Sequence, residues 1–423
     1  MSSYQKTTLK NGLRIITVPQ KDALATTFLV LVEAGSKYET KDISGLSHFL
    51  EHMCFKGTAK RPRAINIASE LDALGAEYNA FTSQEYTGYY AKVESHKLDK
   101  ALDVVADIYL NPVFNVEEIE KEKGVIIEEL NMYEDLPMRK VQDVFMELMY
   151  GDQPAGWDVG GRKEVIRVLN KDNFLKYRGE HYLAQSTLIV VAGAFDEKDV
   201  LQKIEKEFSN MPQNTKGKKL VVLESQKIPA LKVREKDLDQ MHLVLGCRAF
   251  SLHDPRRFAL DVLADVLGGG MSSRLFQRVR EELGAAYYVK ASADLFTDHG
   301  FCAVSAGIEL SKLTLVVEAI LQEMKKLSDQ LVGEEELRKA KNHLIGKIIL
   351  GLESSDALAS YYGGQEILGE SIVTPQELIE KIEAVTADQL KSLSGEIFKD
   401  EKLNLAIVGP VKEGASLEKV LHF

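Results

Sequence analysis

The sequence contains one short stretch, residues 48–52 (HFLEH), whose residue types and spacing could support metal chemistry. In a helix, His48 and His52 lie about 40° apart around the axis, with Glu51 beside them. Two neutral imidazoles one turn apart can bind a single tetrahedral metal ion, and zinc is the usual occupant. A neighbouring carboxylate can take a proton from water that the metal has made more acidic. The stretch therefore indicates a hydrolytic zinc site with Glu51 as its base.

A third ligand would distinguish this site from an ordinary solvated helix face, because a catalytic zinc site usually has three protein ligands and one open position. A predicted long helix (VEEIEKEKGVIIEELNMY) places Glu122 and Glu129 two turns apart, on the same face as Val125 and Ile126. Glu129 is the candidate third ligand, and Glu122 could orient a ligating histidine. Glu128 points about 100° away from that face and is predicted to be solvated. The alternative is a pair of exposed acids on a charged helix.

The elements that must position these residues are predicted from hydrophobic patterns and turn residues. Asn11-Gly12 is the favoured dipeptide for a type I′ turn, so the N-terminus is predicted to be a β-hairpin. A strand rich in β-branched residues (TTFLVLV) precedes the HFLEH helix. Further helices and strands are predicted at 64–74, 77–83, 86–93, 97–110, 171–182, 187–192 and 197–208.

The chain repeats itself loosely after a polar linker. The sequence LGAEY at 74–78 has a counterpart, LGAAY, at 283–287, and residues 171–194 resemble 387–410. Matching segments are separated by roughly 210 to 218 residues. We therefore predict an α+β protein with two homologous domains in tandem, each a mostly antiparallel sheet packed with helices. The predicted boundaries are 1–212 and 229–423, with a linker at 213–228.

The two copies differ where the chemistry would lie. The segment that matches HFLEH is ADVLGGG at 264–270, which has no histidine. Ala340 and Lys347 stand roughly opposite Glu122 and Glu129. The first domain is therefore predicted to bind the metal, and the second to contribute something else.

Composition and charge narrow the classes of function. The chain has 423 residues, which suggests two or more domains, and its 45% hydrophobic and 28% charged residues are typical of globular proteins. The formal net charge of −11 argues against nucleic acid as the main partner. No apolar run approaches the length of a membrane span, and the first residues (MSSYQK) lack the regions of a signal peptide. Three scattered cysteines, Cys54, Cys247 and Cys302, are typical of a reducing compartment, so a cytoplasmic location is expected.

Together, HFLEH, Glu129 and the duplicated architecture resemble the pitrilysin superfamily of zinc peptidases, which carry the inverted H-x-x-E-H motif. The resemblance is to the branch of the mitochondrial processing peptidase and its bacterial relatives. In that family 76 residues separate the second histidine from the third ligand, and Glu129 stands at that distance after His52. Glu122 matches the second acid of the family. The resemblance implies that His48, His52 and Glu129 bind one zinc ion and that Glu51 is the general base.

The resemblance also implies residues that act on the substrate. The family holds the substrate backbone with an Asn-Ala-x-Thr strand, and Asn79, Ala80 and Thr82 match it. Its second domain supplies an arginine and a tyrosine seven residues apart, and Arg280 and Tyr287 match them. Such groups can stabilise the charge that develops on a peptide carbonyl and can fix the substrate. The alternative is that Arg280 is one of several exposed charges and Tyr287 is a core residue of a strand.

The resemblance implies that the two domains face each other as a clamshell and that the enzyme works when they close. Two chains would pair, as a homodimer or as a heterodimer with a related chain, around a chamber that admits peptides and unfolded segments. Removal of presequences is not implied, because no presequence or second processing subunit is evident. One rival interpretation is a non-catalytic core or assembly subunit of the same superfamily, which would usually have lost a ligand or the base. The other is a protease dedicated to one peptide precursor.

Overall fold

The computed structural model describes residues 4–411 and 415–423. Residues 1–3, which belong to the N-terminal stretch used to predict a cytoplasmic location, lie outside the described part. Two compact units, each built around one β-sheet, make up the chain. The first unit consists of Met1–Leu130, Asp158–Leu220 and Leu350–Val373, and the second of Asn131–Trp157, Val221–Ile349 and Thr374–Phe423.

Eleven strands form the two sheets in the described residues. They are β1 (Gln5–Thr8), β2 (Arg14–Pro19), β3 (Ala25–Val32), β4 (Glu77–Thr82), β5 (Thr87–Glu94), β6 (Thr187–Gly193), β7 (Ala230–Glu235), β8 (Met241–Arg248), β9 (Ala286–Leu295), β10 (Gly300–Ile308) and β11 (Leu403–Gly409). The first sheet has the order β1-β2-β6-β3-β5-β4, and the second has the order β7-β11-β8-β10-β9. The pairs β2–β6 and β7–β11 are parallel and the others are antiparallel. The shared order confirms the predicted duplication and the α+β class.

The helices lie between and after these strands. They are α1 (Leu46–Cys54), α2 (Ala64–Leu74), α3 (Leu98–Leu110), α4 (Val116–Glu134), α5 (Pro137–Tyr150), α6 (Lys163–Ile166), α7 (Lys171–His181), α8 (Glu197–Phe208), α9 (Arg257–Gly268), α10 (Leu313–Asp329), α11 (Glu334–Gly351), α12 (Ser355–Ile367), α13 (Pro375–Glu383), α14 (Ala387–Ile397) and α15 (Ala415–Glu418), with a π-helix at Phe276–Glu282. None of the helices within 4–411 and 415–423 combines the length and apolar character needed to cross a membrane.

The central strand β3 shows how the first sheet builds a core on each face. Phe28 and Val30 belong to a large core shared with residues of α1, α3 and α4, whereas Leu29 and Leu31 belong to a separate core on the opposite face. This alternation follows from the two-residue period of a strand. Both faces of the sheet are therefore apolar, and each needs a layer of helices.

The second face of each sheet is covered by a helix from the other half of the sequence. Helix α12 contributes Leu358, Ala359 and Tyr362 to the core around Leu29 and Leu31 in the first unit. Helix α5 belongs to the second unit, where its apolar residues join a core with residues of β8, β10 and β11. The boundaries of the two units therefore differ from the single linker predicted at 213–228, because each unit includes one helix from the other half of the sequence.

The packing of α12 on the first sheet gives a stability prediction. Tyr362 of α12 is fully buried, so Tyr362→Ala should leave a cavity and lower the free energy of unfolding by about 3–5 kcal/mol. Its neighbour Tyr361 is only partly buried, and its hydroxyl donates to the Val373 carbonyl at 2.7 Å. Tyr361→Ala should therefore cost clearly less. Urea unfolding curves of the two variants would measure the difference, and equal losses would contradict the assignment of α12 to the core.

The N-terminal hairpin is present, but its turn differs from the predicted type. A type I′ turn needs positive φ at both central residues. Gly12 has φ of 88° and meets this requirement. Asn11 does not, because Phe114 is the only non-glycine residue with positive φ in the described part of the chain. The Asn11 side chain instead accepts from the Leu13 N–H at 3.1 Å and donates to the Phe208 carbonyl at 2.9 Å. This tertiary contact could not be predicted from the dipeptide.

Candidate metal centre

Helix α1 presents its chemical groups on one face, as predicted from the sequence. Its apolar residues, among them Leu46, Leu50 and Met53, are buried, whereas His48, Glu51 and His52 are half-buried. The rings of His48 and His52 lie with their centroids 4.6 Å apart. The apolar residues pack into the core, so the face with His48, Glu51 and His52 is the one that solvent or a ligand can reach.

Glu129 joins the two histidines in the described structure. Its Oε2 lies 3.7 Å from Nε2 of His48 and 3.6 Å from Nε2 of His52. One ligand atom from each of the three residues lies within 4.8 Å of the others, a spacing that could hold a metal ion. Bonds of roughly 2.0–2.2 Å at a tetrahedral angle place zinc ligands about 3.4 Å apart, so the donor set fits zinc with little adjustment. Glu128 is exposed, in agreement with its predicted solvation.

Glu122 contacts the ring of His52 from α4. Its Oε1 lies 2.9 Å from His52 Nδ1, and its Oε2 lies 2.5 Å from Nζ of Lys56. Burial raises the pKa of Glu122, but its bonds to His52 and Lys56 outweigh burial and lower that pKa below the usual value. An ionised Glu122 accepts the Nδ1 proton of His52, which leaves Nε2 with a free lone pair for a metal.

Glu51 is held by a residue of the neighbouring strand. The hydroxyl of Thr82 on β4 donates to Oε2 of Glu51 at 2.6 Å. Burial raises the pKa of Glu51, whereas the Thr82 bond and nearby His52 lower it, and the net shift is upward. Because Thr82 engages Oε2, the oxygen that could accept a proton is Oε1. A raised pKa suits a general base, since it brings proton affinity closer to the working pH.

The other residues predicted on the substrate strand lie on β4 as expected. Strand β4 is an edge strand of the first sheet and pairs with β5. Asn79 is exposed and Ala80 is half-buried, and Oδ1 of Asn79 accepts from the Ala80 N–H at 2.9 Å. The strand thus presents an edge next to the helix that carries the histidines.

Comparisons with known proteins agree with this site. Residues 14–161 match the family described as "Insulinase (Peptidase family M16)", and residues 169–344 match "Peptidase M16 inactive domain". An uncharacterized zinc protease of Bacillus subtilis, YmxG, is 35% identical to the chain, over 95% of this chain and 97% of that protein. The chain belongs to peptidase family M16. This result confirms the predicted pitrilysin superfamily.

Other M16 relatives extend the match over nearly the whole chain. An uncharacterized zinc protease of Streptomyces coelicolor is 32% identical over 98% of this chain and 91% of the relative. A protease from Helicobacter pylori shares the fold with a TM-score of 0.89 at 23% identity, covering 97% of this chain and all of that one. The M16 inactive domain from Pseudomonas fluorescens gives a TM-score of 0.88 at 17% identity, over 97% of this chain and 98% of that chain. M16 homologues named zinc proteases support a zinc peptidase.

Arg280 and Tyr287, the residues predicted to act from the second domain, both lie in the second unit. Arg280 lies on the π-helix, exposed, with its guanidinium 4.9 Å from the ring centroid of Phe276. Tyr287 lies on β9, an edge strand of the second sheet, and is 72% exposed. The alternative interpretation of Tyr287 as a core residue is therefore wrong. Within the described residues, the groups that could hold a metal comprise His48, His52 and Glu129 alone, and all of these lie in the first unit.

Two contacts of this M16 site were not predicted. Lys56 neutralises Glu122, and Thr82, which was expected to hold substrate, bonds to Glu51 instead in this structure. Lys56 lies beyond the end of α1 at Cys54, and its partner Glu122 is on α4, so the spacing of the motif could not indicate this contact. The Thr82 contact depends on how α1 packs against β4 and had no local signal.

Proposed function

We propose that this M16 chain is a zinc endopeptidase that cleaves extended peptides or unfolded segments. The observation that carries the proposal is the convergence of His48, His52 and Glu129 in a group that could hold a metal ion. Glu51, on the same helix as the two histidines, is not part of that group and is bonded to Thr82. One zinc ion per chain is expected. The proposal places the protein in the branch of the mitochondrial processing peptidase and its bacterial relatives, without their presequence removal.

The chain's own residues would divide the chemistry between them. Bound zinc supplies a Lewis acid that makes water more acidic and polarises the peptide carbonyl. Glu51 takes a proton through the carboxylate oxygen that Thr82 leaves available, and later gives it to the leaving amine. Glu122 keeps His52 in the correct tautomer, and Lys56 keeps Glu122 ionised.

The edge strand β4 would bind the substrate as an added strand. An extended peptide can satisfy its main chain by pairing with an unpaired sheet edge. β4 is the terminal strand of its sheet and carries Asn79, Ala80 and Thr82. Arg280 and Tyr287 would act on the same substrate when the two homologous domains close as a clamshell.

The partners and location are proposed on the same basis. We expect peptide substrates and no nucleic acid, which agrees with the net charge of −11. A homodimer, or a heterodimer with a related chain, would enclose the chamber that excludes folded proteins. We also expect a cytoplasmic protein, and its three cysteines are buried and free.

A non-catalytic subunit of the same superfamily is disfavoured because the sequence keeps Glu51 and all three candidate ligands, and the side chains of His48, His52 and Glu129 lie close together. Metal analysis, combined with a series of quenched peptides of graded length, would test the proposal. A peptidase should bind one zinc per chain and cleave peptides of many sequences above a minimum length. Cleavage of one sequence alone would instead indicate a protease for a dedicated precursor. Stoichiometric zinc with no hydrolysis of any peptide would contradict the proposal.

The ligand assignment gives a metal prediction. His48→Ala, His52→Ala and Glu129→Gln should each weaken zinc binding at least about tenfold, because each removes one of three protein ligands. Competition with a chromogenic chelator would measure the dissociation constants. Glu128→Gln is the matched control, since Glu128 is exposed one residue away and should keep wild-type affinity. Full affinity in Glu129→Gln would place the third ligand elsewhere.

A further inference from the structure

The helix that carries the zinc ligands begins at a residue that cannot cap it. Gly45, the N-cap of α1, has φ of 92°, and a Cβ there would lie 2.6 Å from the Gly160 carbonyl oxygen and 2.8 Å from Gly161 Cα. Only glycine fits this crowded, left-handed position. A glycine offers no side-chain oxygen to the first N–H groups of the helix, which have no partner within the helix.

Glu39, six residues before this N-cap, supplies the missing acceptor. Its Oε2 accepts from the Gly45 N–H at 2.7 Å, and its Oε1 accepts from the Ser47 N–H at 2.6 Å. The residue is only 2% exposed. Both oxygens accept from N–H groups, which suits an ionised carboxylate at the positive end of a helix dipole. Burial raises the pKa of Glu39, whereas the bonds from Ser47 and Gly45 favour the ionised form and oppose that rise.

The capped residue Ser47 directly precedes the first zinc ligand, His48. Its hydroxyl lies 2.7 Å from the hydroxyl of Tyr177, which donates to the Gly35 carbonyl at 3.2 Å. Glu39, Ser47 and Tyr177 therefore fix the first turn of α1 through both backbone and side chain. His48 projects from that turn, so a shift of the turn would move its ring relative to His52.

We propose that Glu39 is a positioning residue of the zinc centre, which caps α1 from a distance and thereby sets the separation of the two histidines. This inference rests on the proposed function. Glu39 bonds to Gly45 and Ser47 rather than to His48 or His52, so its effect passes through the helix backbone. Residues that orient zinc ligands from outside typically change metal affinity by 10–100-fold.

The test compares Glu39→Gln with a matched cap on another helix of the same unit. In Glu39→Gln the side-chain NH2 faces a backbone N–H, so one amide of the first turn loses its acceptor. Zinc affinity should fall about tenfold, and the visible absorption of bound Co²⁺ should change. Asp196 caps α8, which carries no zinc ligand, by accepting from the Asp199 N–H at 2.8 Å. Asp196→Asn should lower the melting temperature without changing either metal readout.

A lower melting temperature with wild-type zinc affinity and cobalt spectrum in Glu39→Gln would overturn the inference, because the cap would then be merely structural. If Glu39→Gln does not fold, Glu39→Asp decides. That variant keeps the carboxylate but shortens the side chain by one methylene, so it should lose at least one of the bonds to the Gly45 and Ser47 N–H groups. Zinc binding should weaken several-fold, and wild-type affinity would again overturn the inference. Failure of the wild-type chain to bind zinc would instead overturn the proposed function, and this inference with it.

Discussion

Glu51→Gln should remove nearly all peptide hydrolysis while the protein keeps its zinc. Glutamine has the shape of glutamate and can still accept the hydroxyl of Thr82, but it cannot take a proton from water. Loss of a general base typically lowers a rate by roughly 10² or more. Because Glu51 is not among the three metal-binding residues, zinc affinity should stay within error of the wild-type value.

Two measurements on the same preparation would check this prediction, namely metal content and cleavage of a quenched peptide. Glu128→Gln, on the exposed side of α4, is the control for removing one negative charge near the site and should keep wild-type rate. Cleavage by Glu51→Gln at a near wild-type rate would show that another group accepts the proton. Loss of zinc from that variant would make Glu51 a ligand rather than a base.

The placement of Glu51 beside the two histidines could be predicted because it follows from helical geometry alone. The apolar residues of the helix must face the core, so the face that carries His48, Glu51 and His52 must point away from it. The choice of Glu129 over Glu128 rested on the same reasoning, since Glu122 and Glu129 are two turns apart on one face. In the structure Glu122 and Ile126 of this face are buried and Glu128 is exposed, whereas Val125, predicted on the same apolar face, is exposed as well.

Contacts between elements distant in sequence could not be predicted. Thr82 reaches Glu51 across 31 residues, and α12 covers a sheet whose strands lie more than 150 residues before it. Glu39 could not be predicted for a related reason, because the sequence signals of a helix start lie at the N-cap and in the first turn, and the N-cap of this helix is glycine. Local periodicity determines which face of an element is apolar. It does not specify which other element covers that face.

Tyr287 and Arg280, the candidate residues of the second domain, lie more than 150 residues from any of the candidate zinc ligands in sequence. Tyr287→Phe removes one oxygen from a side chain that is 72% exposed, so fold and zinc content should be intact. If the hydroxyl donates to the oxygen that gains charge during attack, turnover should fall about a hundredfold, equivalent to about 3 kcal/mol. Apparent peptide affinity should change little, because the bond matters most in the transition state. Arg280→Ala should instead weaken substrate binding as well.

The neighbouring tyrosine provides a matched control on the same strand. Tyr288 is half-buried, its ring lies against Gly307, and its hydroxyl lies 3.1 Å from His242 Nδ1. Tyr288→Phe should therefore lower the melting temperature slightly and leave turnover unchanged, the reverse of the pattern expected for Tyr287→Phe. Steady-state kinetics and thermal melts on both variants would separate the two roles. Unchanged turnover in Tyr287→Phe would confine the chemistry to the first domain, since an exposed tyrosine on a terminal strand then has no part in the reaction.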